Sequence, residues 1–165
     1  MRCILIIILI FITYSFQIVK GNEYVPQMVD KESAIIIRTD KKTYFSVQLF
    51  CRFTEEVYNK SLFVEKNKKT IAKIKFPSSE DIKNFSVKIK KHRKGVILEC
   101  FYGGGNNLYS RHFYFKCDKD GMYLYKIIGT HTTPNSDKTM TDKKYIQPQI
   151  DISDFDIVNY IDNTP

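Results

Sequence analysis

The stretch ECFYGGGNNLYSRHFYFKCDKDGMYLYKI, Glu99 to Ile127, decides the fold. Apolar and polar residues alternate on both sides of a Gly/Asn-rich segment, and this period of two is typical of half-buried strands. Glycine and asparagine tolerate a positive φ and therefore suit hairpin tips. The stretch predicts two antiparallel strands joined at Gly103–Asn107, followed by a turn at Asp118–Gly121 and a third strand.

Strand patterns continue along most of the chain. The alternation is clearest over Thr43–Phe53, where nearly every second residue is apolar. The other predicted strands are Ser33–Arg38, Leu62–Glu65, Ala72–Phe76, Phe85–Lys90, Val96–Tyr102, Phe113–Cys117 and Met122–Ile128. Seven or eight consecutive strands with short links imply a mainly β fold, an antiparallel meander. It is predicted to close as a small barrel or fold over as a sandwich, because a flat sheet leaves its edges exposed. Glu55–Lys60 is predicted as a helical turn.

The chain start has the pattern of a secretory signal. A short basic opening precedes the apolar run ILIIILIFI, residues 4–12. Cleavage is predicted after Gly21, with a cut after Ser15 as the second choice. A membrane anchor is the alternative, but about 20 apolar residues are needed to cross a bilayer. The protein is therefore expected to be exported, and to be periplasmic or secreted.

The end of the chain changes character. The predicted segments are a signal peptide (1–21), a β domain (22–128), a polar loop (129–149), and a C-terminal helix with its tail packed on the β domain (150–165). The loop is predicted because its residues are polar and show no clear period. Ser153 and Asp156 have the spacing of a capping box. They predict a short helix over Asp154–Asp162.

Positive charge is concentrated in one part of the chain. The net charge is +8, and removal of the signal takes away Arg2 and Lys20, which leaves +6. The segment Lys60–Lys94 holds twelve Lys or Arg residues against three acids. Blocks of this kind bind anionic polymers, although a solvated hairpin tip is the plainer explanation. The candidate anion-binding residues are Lys88, Lys90, Lys91, Arg93 and Lys94.

Three cysteines remain after the signal: Cys51, Cys100 and Cys117. In an oxidising compartment this number predicts one disulfide and one thiol. If Tyr102 pairs with Arg111, Cys100 and Cys117 lie too far apart along their hairpin to form a bridge. A Cys51–Cys100 disulfide is predicted, with Cys51–Cys117 as the rival. The alternative is three buried thiols.

The sequence offers no recognisable catalytic motif. Its three histidines, His92, His112 and His131, stand in a basic run, a strand and the polar segment, away from any nucleophile signature. Neither the cysteines nor the histidines have zinc-ligand spacing, so we expect no metal and no cofactor. We expect a protein without enzymatic activity, and keep a hydrolase with a site near His112 and His131 as a third hypothesis.

The order FYGGGNNLYSRHFYFKCDKDGMYLYKI, Phe101 to Ile127, resembles a hairpin of small exported bacterial β-rich proteins. These are immunity proteins against toxins, or periplasmic inhibitors of enzymes. The resemblance implies a binding module that blocks a toxin or hydrolase by inserting a loop. It carries over no defined functional residue.

The hairpin itself suggests which residues contact a partner. Tyrosine, asparagine and arginine suit interfaces, and five of them surround the tip. The candidate partner-binding residues are Tyr102, Asn106, Asn107, Tyr109 and Arg111. The alternative function is a basic secreted adhesion or effector protein that binds an anionic polysaccharide or a membrane surface. We expect no nucleic-acid partner for an exported protein.

Overall fold

The computed structural model describes residues 28–54, 57–78, 80–133 and 138–161. Within these residues the chain forms nine strands and one short 3₁₀ helix. They are β1 Met28–Arg38, β2 Tyr44–Thr54, β3 Val57–Lys66, β4 Lys69–Lys75, β5 Ser86–His92, β6 Gly95–Gly104, β7 Asn107–Cys117, β8 Met122–Thr133, β9 Lys138–Asp151 and the 3₁₀ helix Ile157–Tyr160. The predicted signal peptide lies outside the described residues. No described helix has the length and apolarity that crossing a membrane would require.

The strands form two antiparallel sheets whose spatial order follows the chain. The first sheet has the order β1-β2-β3-β4 and the second has the order β5-β6-β7-β8-β9. Every pairing is antiparallel between sequence neighbours. The mainly β antiparallel prediction is therefore confirmed. Across the described residues neither sheet closes on itself, so a closed barrel is not formed.

One hydrophobic core draws its side chains from both sheets. In the first sheet Phe45 and Val47 are fully buried, and in the second Leu98 and Phe113 are. Leu98 and Phe113 are directly paired across β6 and β7, so their side chains lie on the same face. The period-two pattern therefore identified which side chains of these strands face the core and which face solvent.

A lysine joins the two sheets at one end. The Lys66 ammonium, at the end of β3, donates to the carbonyl oxygens of Lys119 and Asp120 at 2.7 and 2.9 Å. These two residues form the turn between β7 and β8. The tie fixes an end of the first sheet to a turn of the second.

The predicted polar loop 129–149 is wrong, because β8 and β9 form a hairpin through most of it. β9 is an edge strand, and residues 138–145 of it are all exposed. No hydrophobic alternation marks this segment, because neither of its faces is buried there. Pro148 falls in the irregular part of β9 between the partners of Leu124 and Lys126, where a missing N–H is tolerated.

The predicted C-terminal α-helix is also wrong, because the described residues up to 161 form a 3₁₀ turn there, Ile157–Tyr160. The N–H and hydroxyl of Ser153 both donate to the Asp151 carboxylate at 2.9 and 2.8 Å, so Ser153 belongs to the preceding turn. Asp156 caps the 3₁₀ turn instead. Phe155 then packs against the second sheet, with its ring centroid 5.2 Å from those of two phenylalanines of β7.

The predicted helical turn at Glu55–Lys60 is replaced by strand from Val57 onward, because β3 begins there. Positions 55 and 56 lie outside the described residues. The pairing of β2 with β3 extends to this point, since Thr54 pairs directly with Val57.

Candidate functional site

The tip of the β6–β7 hairpin is tighter than the sequence predicted. Tyr102 pairs with Tyr109, and Gly104 with Asn107, so the tip consists of Gly105 and Asn106. The predicted pairing of Tyr102 with Arg111 is therefore wrong by two residues. Gly105 has a φ of 60°, a left-handed conformation that glycine adopts without strain.

Three rings form a row across the strands at this end of the second sheet. Tyr102 of β6 stacks on Tyr109 of β7 with centroids 5.3 Å apart and planes 15° apart. Tyr109 stacks in turn on His131 of β8 at 4.6 Å and 13°. Nε2 of His131 lies 2.9 Å from Oδ1 of Asn107, so a hydrogen bond orients the imidazole. We call Tyr102, Tyr109 and His131 the aromatic row.

An ion pair runs beside the aromatic row and spans three strands. Arg111 of β7, Gly129 of β8 and Asp142 of β9 are directly opposite one another. Nη1 of Arg111 lies 2.7 Å from Oδ1 of Asp142. A Cβ on Gly129 would overlap Nη1 of Arg111, so the absence of a side chain there lets the arginine cross β8. The Arg111 side chain is 15% exposed and that of Asp142 is 65% exposed.

The five predicted partner-binding residues all lie at this end, but they do not play equal parts. Asn106 is exposed at the tip, and Asn107 and Tyr109 are half-buried. Tyr102 is buried, so its ring supports Tyr109 from behind. Arg111 is engaged with Asp142. Of these five residues, Asn106 and parts of Asn107 and Tyr109 are therefore accessible to a partner.

Sequence reasoning missed the contributions of His131 and Asp142. Both lie in the segment predicted as a polar loop, and only the pairing of β8 with its neighbours places them beside Tyr109 and Arg111. No local pattern in the sequence signals this pairing.

The two histidines of the hydrolase hypothesis are not brought together. His131 shares a face with Tyr109, its direct partner, whereas His112 is an odd number of residues away on β7 and projects to the other face. The His112 ring packs against Phe101 with centroids 5.9 Å apart, and its Nε2 is buried without a hydrogen-bond partner. Among the described residues no three His, Cys, Asp or Glu side chains are placed to hold a metal ion.

The predicted anion-binding residues stand at the opposite end of the second sheet, around the β5–β6 turn. All five are exposed. Lys90 is engaged in an ion pair with the buried Glu99, with Nζ and Oε2 2.9 Å apart. Arg93 has a φ of 49°, which is uncommon for a residue with a side chain.

A pocket of about 260 Å³ opens at this turn. Its lining residues are His92, Arg93, Lys94, Gly95, Phe115, Lys116 and Tyr125. Gly95 forms part of its wall. The backbone of Gly95 lies so close to β7 that a Cβ there would overlap the Phe115 carbonyl group. The N–H of Cys117 donates to the Lys94 carbonyl at 2.8 Å and holds the turn against β7.

Sequence reasoning found two of the cations of this pocket and missed the rest of its wall. Phe115, Lys116 and Tyr125 come from β7 and β8, and reach the pocket only through the strand register. Burial raises the pKa of Tyr125, while the nearby positive charge of Arg93 opposes that shift.

No disulfide joins Cys51, Cys100 and Cys117, so the predicted Cys51–Cys100 bridge is not formed. Cys100 and Cys117 are buried in the second sheet, and Cys51 is half-buried in the first. Burial raises the pKa of the Cys117 thiol to about 12, and also raises that of Cys100. The alternation of apolar and polar residues indicates which face of a strand each cysteine is on. It does not determine how far along the strand the cysteine lies, and a disulfide depends on that position.

Comparison with known protein families, with curated proteins and with solved structures finds no match for the chain.

Proposed function

We propose that this protein is an exported, non-enzymatic binding module of the immunity or inhibitor type, which blocks a toxin or hydrolase with the tip of the β6–β7 hairpin. The observation that carries the proposal is the aromatic row. Its accessible tyrosine, Tyr109, is clamped between the rings of Tyr102 and His131, and a hydrogen bond that Asn107 Oδ1 accepts from Nε2 of His131 orients the imidazole.

Rigidity at the tip favours binding. A partner that binds Tyr109 does not need to immobilise a freely rotating ring. The conformational entropy lost when a side chain is immobilised costs about 0.5–1.5 kcal/mol of binding free energy per side chain. Tyrosine is also among the residues that dominate binding energy at protein interfaces. The ion pair of Arg111 with Asp142 ties β7 to β9 beside the row and keeps the strands in register.

The exposed tip supplies specificity. Asn106 is exposed and Asn107 is half-buried, so their amide groups can meet polar groups at the edge of a partner site. A two-residue tip on a pair of long strands is narrow enough to enter a cleft. The N-terminal run ILIIILIFI supports export, which would bring the module to extracellular toxins or hydrolases.

The test is binding to the product of the neighbouring gene, measured by calorimetry with purified proteins. Tyr109→Ala should weaken binding at least tenfold, since truncation of an anchoring aromatic side chain has effects of about that size. Asn106→Lys places bulk and charge at the exposed tip and should also weaken binding without affecting the fold.

The matched control is Tyr145→Ala, which removes an exposed tyrosine from β9 of the same sheet. It should change the affinity less than twofold. If Tyr109→Ala and Asn106→Lys both bind as tightly as the control, the hairpin tip is not the binding surface.

A further inference from the structure

The pocket at the β5–β6 turn gathers positive charge that no acid neutralises. Arg93, Lys94 and Lys116 line it, and no carboxylate does. None of the three forms an ion pair with an acid of the described residues. The nearest acid along the chain, Asp118, accepts hydrogen bonds from the N–H groups of Asp120 and Gly121 in its own turn. Like charges held together in this way favour an anion between them.

The interior of the pocket is apolar in spite of its cationic rim. The Tyr125 side chain and the segments of β6 and β7 at Gly95 and Phe115 form the walls, while the Phe115 ring itself is buried in the core. His92 packs edge-on against Tyr114 with centroids 5.6 Å apart, so the imidazole is also part of an aromatic surface. Such a pocket suits a ligand that combines an apolar ring face with negatively charged substituents. A small inorganic anion would leave the Tyr125 ring unused.

The size of the pocket limits the ligand to about one ring. At about 260 Å³ it lies just below the range of roughly 300–1,000 Å³ that is typical of sites for drug-sized molecules. Lys88 and Lys91 are exposed on β5, and because they are an odd number of residues apart they project to opposite faces of this edge strand. An anionic chain that leaves the pocket along this edge would therefore meet one lysine on each side.

We propose that this pocket binds one sugar ring of an acidic polysaccharide. The ring face stacks on Tyr125, and Arg93, Lys94 and Lys116 hold its carboxylate or sulfate groups. Lys88 and Lys91 attract the neighbouring units of the chain. The site lies at the opposite end of the second sheet from the hairpin tip, and it is independent of the proposed protein partner.

A polysaccharide fits the pocket better than a single-stranded nucleic acid does. Proteins that bind single strands stack successive bases on several aromatic side chains. Here one tyrosine lines the pocket, and the exposed cations of β5 are lysines, which do not stack as aromatic side chains do. An acidic polysaccharide carries negative charge on successive sugar units. It matches a site in which several cations attract the chain and one tyrosine stacks on a single sugar ring.

The experiment uses the mature chain and a heparin-derived hexasaccharide, titrated by calorimetry at several salt concentrations. The pocket variant is Arg93→Gln with Lys116→Gln. The matched control is Lys73→Gln with Lys75→Gln, which removes two exposed charges from β4 of the other sheet. The pocket variant should bind about tenfold more weakly, because each exposed cation contributes a few-fold. Its salt dependence should fall by roughly one unit of slope for each cation removed. The control should lose about twofold or less.

Tyr125→Leu tests the ring contact separately, because it keeps apolar bulk in the pocket. It should weaken the hexasaccharide about threefold and leave the salt slope unchanged, since no charge is removed. An oligonucleotide of equal charge should bind at least tenfold more weakly than the hexasaccharide.

The proposal fails if the pocket variant and the β4 control lose the same affinity, because attraction is then a property of the net charge. It also fails if the oligonucleotide, or a vesicle of anionic lipid, binds more tightly than the hexasaccharide through the same residues. Each of these results leaves the assay with Tyr109→Ala and Asn106→Lys unaffected, so the two proposals stand or fall separately.

Discussion

Replacing Gly129 by alanine is expected to separate Arg111 from Asp142. The arginine crosses β8 in the space that a side chain on Gly129 would occupy, and an added Cβ would overlap its guanidinium group and crowd the Asp142 carboxylate. The new methyl group meets the ends of these two side chains, which can move. The variant should therefore fold, with the ion pair broken.

The size of the effect follows from three contributions. The ion pair is worth about 0.5 kcal/mol, because Asp142 is 65% exposed and solvent screens the charges. The Arg111 side chain is only 15% exposed, so displacing it loses packing worth about 1 kcal/mol. Alanine restrains the unfolded chain more than glycine does, which returns about 0.5 kcal/mol. The free energy of unfolding should fall by about 1 kcal/mol.

The measurement is urea unfolding of a double-mutant cycle with Arg111→Ala. Once the arginine side chain is gone, Gly129→Ala should become neutral or stabilise the protein by about 0.5 kcal/mol. The coupling between the two sites should then be about 1–1.5 kcal/mol. If Gly129→Ala has the same effect with and without Arg111, the arginine does not occupy the space above Gly129, and the reasoning is refuted.

The remaining predictions concern four residues. Gly95→Ala should lower the free energy of unfolding by about 2–4 kcal/mol, because its Cβ would overlap backbone. Gly105→Ala, in open space at a φ of 60°, should lower the free energy of unfolding by only about 1 kcal/mol. If urea unfolding shows equal losses for the two glycine variants, the strand register that places Gly95 against β7 is contradicted. Cys117 should resist iodoacetamide at neutral pH in the folded protein, because its pKa is raised to about 12. In urea it should be alkylated without reductant. If mass spectrometry finds alkylation in urea only after a reductant is added, Cys117 forms a disulfide and the prediction is contradicted. The N–H and hydroxyl of Ser78 hold the pKa of the Asp81 carboxylate below its usual value, so this carboxylate stabilises the fold at neutral pH. That stability is lost as the pH falls through the lowered pKa, and wild type and Asp81→Asn should converge in acid melts; a constant difference would contradict this.

Strands with one buried face could be predicted from the sequence, and strands without one could not. β2 and β6 alternate because every second side chain enters the core. Residues 138–145 of β9 are exposed throughout, so no selection for apolar residues marks them as strand. The C-terminal helix was wrong for a related reason. Ser153 and Asp156 are also favoured in turns, where their side chains bond to nearby backbone.

The candidate sites depend on register, which the sequence leaves open. Three glycines at the β6–β7 tip allow several hairpin alignments, and a difference of two residues keeps every side chain on its predicted face. The prediction could therefore place Tyr102 and Tyr109 near one tip without showing that they stack. Tyr125 joins the pocket because the pairing of β7 with β8 shifts after Tyr114, and such an irregularity has no clear signature in the sequence.

The order of the strands in space has a consequence for how the molecule is assembled. Each strand has its hydrogen-bonded neighbour in the adjacent passage of chain, and among the described strands no pairing links the first four to the last five. A cut in the connection between β4 and β5 would therefore leave every ladder intact. The two pieces, produced separately and mixed, would rebuild the native molecule by packing their apolar faces together and restoring the hydrogen bonds of Lys66 to the β7–β8 turn, as in a split-protein reporter.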